Sequence, residues 1–374
     1  MGDTTIKRVD VYRIRVPLAK PYHLSKVYGT LTHSNAVLVR LTLNNGEQGW
    51  GEADPGGRNF DGETGDSVMQ TLRATTARLP GQCVKQWVDE GWGCADTGAA
   101  AAALDVACHD ALGRATNKPV YQLLGTLCHR SVDSLWPTSS GSADEDLDII
   151  NDYHARGFRT FMLKMGEKPI DEDISRVQNV MTRLPDDTKI MVDANQGWIL
   201  DEALTFAEQT AGLPLVLIEQ PVAAADLEGL KKVKDAAGCP VSVDESVQKP
   251  ADADAIIAAD CADVFSLKIS KNGGLANSRF MAEKIRQAGK RVLMNSMIEL
   301  GIAQAASLHL GCGLDNLVDC GHAYMSTLRM SDDVCDFSDW VIDGTAYLPD
   351  RPGLGIEVSI EKVEQYLEDE FHVS

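Results

Sequence analysis

Five ionisable residues recur along the second half of the chain at the spacing of one structural unit: Lys164, Asp193, Glu219, Asp244 and Lys268, separated by 29, 26, 25 and 24 residues. Each lies at the end of a short apolar run: TFMLKMG (160–166), KIMVDAN (189–195), LVLIEQP (215–221), PVSVDES (240–246) and VFSLKIS (264–270). An unpaired ammonium or carboxylate is costly to take out of water, so a chain keeps one there either paired for structure or tuned for chemistry. Any single one of these residues could be a structural ion pair. Five in register point to chemistry. Three carboxylates converging on one point repel unless a hard divalent cation lies between them, and oxygen-only ligands select Mg²⁺ or Mn²⁺ over zinc. Asp193, Glu219 and Asp244 are the expected ligands. Lys164 and Lys268 flank them as expected proton-transfer groups, with pKa lowered by desolvation and the neighbouring cation.

Convergence requires a particular set of elements. From about residue 131 short apolar strand candidates alternate with amphipathic segments such as DEDISRVQNVMTRL and ANSRFMAEKIRQAG, the signature of βα units and a parallel sheet. Besides the five runs above, SVDSLWP (131–137), RVLMNSM (291–297) and NLVDCG (316–321) bring the count to eight. Eight units predict an α/β fold, a (β/α)₈ barrel, in which the C-terminal strand ends form one functional face. The preceding region has a different texture. VDVYRIRVPL and SNAVLVRLTLNNGEQGWGEA read as antiparallel strands joined at Asn44-Asn45-Gly46, and the Ala-rich TGAAAAALDVACHDALGRA reads as a closely packed helix. The expected organisation is an α+β capping domain over 1–128, the barrel over 129–340, and a segment over 341–374 that returns to the cap.

The bulk composition narrows the function. With 55 acidic against 35 basic residues the formal charge is −20, which repels phosphate backbones and anionic membranes, so neither nucleic acid nor a membrane is an expected partner. Nine cysteines without a C-x-x-C pair form an odd, scattered set unlike a secreted disulfide framework. The first residues, MGDTTIKRVD, hold no apolar segment of the kind a signal core needs, and no stretch approaches the length of a spanning helix. The expectation is a soluble, cytoplasmic protein that acts on a small molecule and forms a homo-oligomer.

The ordered set GWGEADP, K-M-G, VDAN, IEQP, VDES, SLKISKNGG, SMIELGIAQAASLHLG and PGLGIEV resembles the enolase superfamily, in its mandelate racemase and muconate lactonizing enzyme family, nearest the muconate lactonizing type. The resemblance implies that Asp193, Glu219 and Asp244 bind Mg²⁺ and that Lys164 and Lys268 form an acid/base pair. It further implies removal of a proton alpha to a carboxylate, with an enediolate stabilised on the metal. The family's Lys-x-Lys on strand two is here Met162-Leu163-Lys164, so one supporting charge is missing, which argues for an altered substrate. No histidine stands on strand seven, as it does in mandelate-type racemases. His322 lies where family members often carry a substrate-contacting residue, the alternative being a solvated loop histidine.

Other residues carry weaker expectations. Asn195 accompanies Asp193, Glu245 is expected to pair with Lys268, and Glu299 is a substrate contact or a partner behind one. The segments KPYHLSKVYGTLTHS and ADPGGRNFDGETGD resemble the family's substrate-selecting loops and offer Tyr22, His23, Arg58 and Phe60. Trp136 is either a wall over the substrate or a core residue, and Gly273-Gly274 reads as a tight turn rather than a phosphate cradle. The reaction is expected to be racemisation, epimerisation or cycloisomerisation of a small carboxylate. Dehydration of a hydroxy acid or acid sugar is the competitor, and a noncatalytic metal-stabilised binding protein is the third reading.

Overall fold

The computed structural model describes residues 3–57, 60, 62–90 and 98–374. Strands β1 (Ile6–His23), β2 (Thr30–Leu43) and β3 (Gln48–Ala53) form an antiparallel sheet. The reversal between β2 and β3 falls at the predicted Asn-Asn-Gly turn, where Gly46 takes φ 90°. Side-chain alternation gives the sheet two apolar faces. Val9, Val11, Val37, Val39 and Leu41 join a core with the cap helices, while Ile14, Val16, Ala36 and Leu38 join the barrel core. The cap sheet is thus clamped between two hydrophobic masses.

The Ala-rich stretch forms the helix Ala99–Ala115, packed directly on β3. A Cβ placed on Gly51 would lie 1.8 Å from the carbonyl oxygen of Ala103, and one on Gly49 would lie 2.4 Å from that of Ala107. Glycine on the strand and alanine on the helix are therefore one feature, a backbone-to-backbone approach that larger side chains exclude.

The second half alternates as expected. After β4 (Ser131–Asp133), strands β5 (Leu135–Pro137), β6 (Thr160–Lys164), β7 (Lys189–Asp193), β8 (Leu215–Glu219), β9 (Val241–Val243), β10 (Val264–Leu267) and β11 (Arg291–Met294) form one parallel seven-stranded sheet in sequential order. Intervening helices bury one stripe, as in Ile170–Met181, where Ile174, Val177 and Val180 face the sheet. Among the described residues no helix is long and apolar enough to cross a membrane.

Two details depart from the sequence reading. The expected strand 131–137 breaks at Ser134: β4 leaves the barrel to pair antiparallel with β13 (Thr345–Tyr347), itself paired with β12 (Val341–Ile342). The expected eighth strand makes only isolated bridges, Val292 with Leu317 on one side and Ser134 with His322 on the other. These close the curled sheet between β11 and β5. At Gly321 the chain passes so close to Ser134 and Leu135 that a Cβ would lie 2.7 Å from the Leu135 nitrogen, which is room for glycine alone. The returning tail reaches the cap first on the helix Ala99–Ala115, where the Leu354 N–H donates to Asp110 and Arg114 donates to the Ile356 oxygen, and then through β14 (Leu367–Val373), which pairs with β1 from Val9 to Ile14.

Candidate active site

The barrel rim brings the five periodic residues together. Lys164, Asp193 and Glu219 are the last residues of β6, β7 and β8, directly adjacent in register, and Asp244 and Lys268 follow β9 and β10 by one residue. All are at least nine-tenths buried. The Nζ of Lys164 donates to Asp193 Oδ2 at 2.5 Å, and that of Lys268 to Asp244 Oδ2 at 2.6 Å. Since β6 and β10 are four strands apart in a sheet closed at an eighth position, the two lysines face each other across the mouth.

Glu219 lies between them, fully buried, with Oε1 accepting from Asn295 Nδ2 at 2.7 Å and Oε2 from Ser266 Oγ at 3.0 Å. Burial, reinforced by the charges of Asp193 and Asp244, pushes its carboxyl well above the usual range. Asp244 goes the other way: burial alone would raise it, but Lys268 and Lys271 outweigh that and hold it at about 2. Burial is the largest effect on the Lys164 and Lys268 ammonium groups and lowers both, but in the surroundings of the protein alone Asp193, Tyr22 and Glu219 around Lys164, and Asp244, Glu245 and Glu219 around Lys268, together outweigh it, and both are shifted upward.

Among the described residues no three His, Cys, Asp or Glu side chains are grouped closely enough to hold an ion as they stand. The reason is visible in the pairing, since Asp193 and Asp244 are each turned onto a lysine. The donor chemistry nonetheless suits a hard divalent cation: three buried carboxylates on neighbouring strand ends, and two buried oxygens without a partner, Asn195 Oδ1 and Glu245 Oε2.

A cavity of about 450 Å³ opens over this rim. The barrel supplies Met162, Lys164, Asn195, Lys268 and Asn295 to its wall, a turn after the barrel supplies Arg329, and the cap supplies Tyr22, Leu24, Tyr28, His33, Asp54 and Phe60. Met162 shares a strand face with Lys164, two residues on, so the wall is apolar where the family motif has its first lysine. The Phe60 ring covers Lys268, with Nζ 4.7 Å from its centroid. Asp54 Oδ2 accepts from the Ile298 N–H at 2.6 Å, and Glu52 accepts from the Leu300 and Ala303 N–H groups at 2.7 and 2.8 Å. The GWGEADP motif thereby fastens the cap to the barrel.

The remaining predicted residues divide. Asn195 Nδ2 donates to Glu245 Oε1 at 3.3 Å, and the Tyr28 hydroxyl donates to the same oxygen at 2.9 Å. Glu245 therefore does not form the expected ion pair with Lys268, which Asp244 takes instead; burial, then the charge of Asp244, raises it to about 8. Glu299 sits behind the wall, with Oε2 accepting from Ser296 Oγ at 2.5 Å. His322 is not the solvated loop histidine of the alternative reading: 1% exposed and outside the cavity wall, it accepts the Met294 N–H at Nδ1 over 2.9 Å and helps to close the barrel. Burial pushes it down to about 4. His23 is exposed and bonded to Thr30, outside the cavity wall. Trp136 is a core residue stacked on Tyr153 at 3.4 Å, while its neighbours Leu135 and Pro137 face the cavity. Arg58 lies outside the described residues. Gly273-Gly274 is a turn, in which the missing Cβ of Gly274 makes room for Asp105 to accept the Leu275 N–H.

Sequence reasoning missed Lys271, whose buried Nζ donates to Asp244 Oδ1 at 2.7 Å. The K-x-x-K of LKISK was the available signal. It also missed Asn295, Tyr28 and Arg329, which no spacing marks.

Comparison with known proteins places these features in a family. Residues 7–125 match the mandelate racemase / muconate lactonizing enzyme N-terminal domain, and residues 147–363 match the enolase C-terminal domain-like family. The chain is 31% identical to an L-Ala-D/L-Glu epimerase of Bacillus subtilis, over 94% of this chain and 96% of the relative. It is also 31% identical to muconate cycloisomerase 1 of Rhodococcus opacus, over 98% and 99% respectively. The crystal structure of an N-succinyl Arg/Lys racemase from Bacillus cereus superposes with a TM-score of 0.91 at 27% identity, covering 99% of this chain and all of that one.

Proposed function

Given that the chain belongs to the mandelate racemase / muconate lactonizing enzyme family, we propose that it is an isomerase that removes and returns the proton alpha to the carboxylate of a small acid, as a racemase, epimerase or cycloisomerase. The observation that carries this reading is the pair Lys164 and Lys268, facing each other across one cavity with buried carboxylates between them. In the proposal Asp193, Glu219 and Asp244 hold Mg²⁺. Bound there, the cation supplies Lewis acidity that makes the alpha proton of the substrate more acidic.

The chain's own groups do the rest. One lysine Nζ, as the neutral amine, takes the alpha proton from its face of the substrate and becomes an ammonium; the other, as an ammonium, delivers a proton to the opposite face and becomes the amine, which inverts the centre. Tyr22, Tyr28 and Phe60 roof the cavity and keep bulk water from the anion left by proton loss. Lys271 holds Asp244 from the side away from Lys268, so the carboxylate that positions this lysine is itself fixed.

Deuterium incorporation in D₂O tests the reading against a library of amino acid derivatives, sugar acids and lactone precursors. Exchange without loss of water is expected. Lys164→Ala should abolish exchange from one configuration while sparing the other, and Lys268→Ala should show the mirrored selectivity. Formation of a keto acid would instead indicate dehydration. Normal turnover by both folded variants would refute the assignment of the lysines.

A further inference from the structure

Among the described residues three lysine or arginine side chains line the cavity, Lys164, Lys268 and Arg329, and two of them have carboxylate partners. Among the described residues Arg329 has none. Its guanidinium carbon lies 3.5 Å from the centroid of the Tyr22 ring, a close stack, and its Nη1 is buried without a hydrogen-bond acceptor. An N–H of a cationic group left unpaired out of water is among the costlier arrangements in a protein, and a planar guanidinium is shaped to grip a carboxylate.

The position is built rather than incidental. Arg329 ends a 3₁₀ turn (Thr327–Arg329) pinned to the cap, where Leu18 bridges Met330 and the Ser331 N–H donates to the Pro17 oxygen at 2.9 Å. Tyr22, under the guanidinium, is also within electrostatic reach of Lys164. The other polar charge on the wall, Asp54, has one oxygen engaged by the Ile298 N–H.

We infer that Arg329, stacked on Tyr22, is a specificity-determining residue that binds a second acidic group of the substrate, so the enzyme takes diacids in preference to the corresponding monoacids. The inference rests on the proposed reaction, since it assigns the far end of the molecule whose near end carries the alpha proton. The charge of the whole chain makes the point sharper: in a protein of net charge −20, an anionic second group gains only where a local cation is available.

The test uses matched N-acyl amino acids and dipeptides that differ only in a distal carboxylate or its amide, a glutamate against a glutamine. Two readouts are taken with Mg²⁺ present: binding by calorimetry and alpha-hydrogen exchange in D₂O. The parent should prefer the acid by about 10- to 100-fold, mainly in Kd and KM. Arg329→Met should erase that preference by weakening the acid alone, with the amide changed less than about 3-fold, and Arg329→Lys should keep part of it. Equal binding of acid and amide by the parent would overturn the inference. So would equal weakening of both by Arg329→Met, the result expected if Arg329 only clamps cap to barrel through the stack. Discrimination in binding without exchange from any member would support the acidic subsite and count against the proposed reaction instead.

Discussion

At the scale of residues the site is a problem of charge. Glu219 is buried between Asp193 and Asp244 with its carboxyl driven well up, while two lysines and Lys271 hold the flanking aspartates. Mg²⁺ bound only by the folded protein should raise the melting temperature, by an amount corresponding to about 2.7 kcal/mol at one hundred times its Kd. Glu219→Gln separates this effect from a folding defect. Burial and the neighbouring aspartates already hold the Glu219 carboxyl toward its neutral form, and the amide is neutral and of similar shape, so the variant should melt close to the parent in the absence of Mg²⁺ and lose most of the Mg²⁺-dependent shift. Thermal denaturation with and without Mg²⁺ measures both, and an undiminished shift would remove Glu219 from the ligand set. The same scale explains why pairings were harder to read than positions. That Lys268 meets Asp244 rather than Glu245 depends on which side chain of the dipeptide turns inward, and sequence spacing does not carry that parity.

At the scale of elements the decisive contact is β3 against the helix Ala99–Ala115. The sequence reading took the alanines as a packing face and the GWGEADP run as a family marker, without joining them. Tertiary structure joins them, because Gly49 and Gly51 leave room for the helix backbone itself. Gly51→Ala would place a methyl group 1.8 Å from the Ala103 oxygen. Displacing the helix should cost about 1–3 kcal/mol, toward the upper end because the contact is with backbone. It should also loosen the cap, since Glu52 and Asp54, one and three residues on, hold the barrel loops at Ile298, Leu300 and Ala303. Urea denaturation should show the loss of stability; a midpoint within error of the parent would show that the helix shifts freely.

At the scale of the whole molecule the cap sheet is shared between two cores and completed by a strand from the far end of the chain. Leu367–Val373 covers the edge of β1, supported by the Arg73–Asp369 ion pair and by Arg73 over the Phe371 ring at 4.3 Å. Ending the chain at Tyr366 would leave β1 with an unpaired edge. The strand is largely solvent-facing, so its loss should cost a moderate amount, about 2–4 kcal/mol. Calorimetry should record a lower melting temperature, and light scattering a new tendency to associate through the open edge. A shortened chain that melts like the parent and stays dispersed would mean that β1 needs no partner there.

What the sequence by itself determined is the set of things that repeat. One βα unit delivers one strand end to the rim, so the regular return of Lys, Asp, Glu, Asp and Lys after apolar runs was enough to place Lys164, Asp193, Glu219, Asp244 and Lys268 on a single mouth, and the antiparallel pattern and Asn-Asn-Gly turn were enough for the cap hairpin. Tertiary structure alone decided what does not repeat. Trp136 faces the core because Leu135 and Pro137 take the cavity side, His322 is buried because the eighth segment closes the barrel by bridges rather than a ladder, and Arg329 reaches the cavity because a turn after the barrel is fastened to β1 more than 300 residues earlier. Periodicity reports which residues share a face. Which way that face turns, and what a distant segment brings against it, follows from packing the chain on itself.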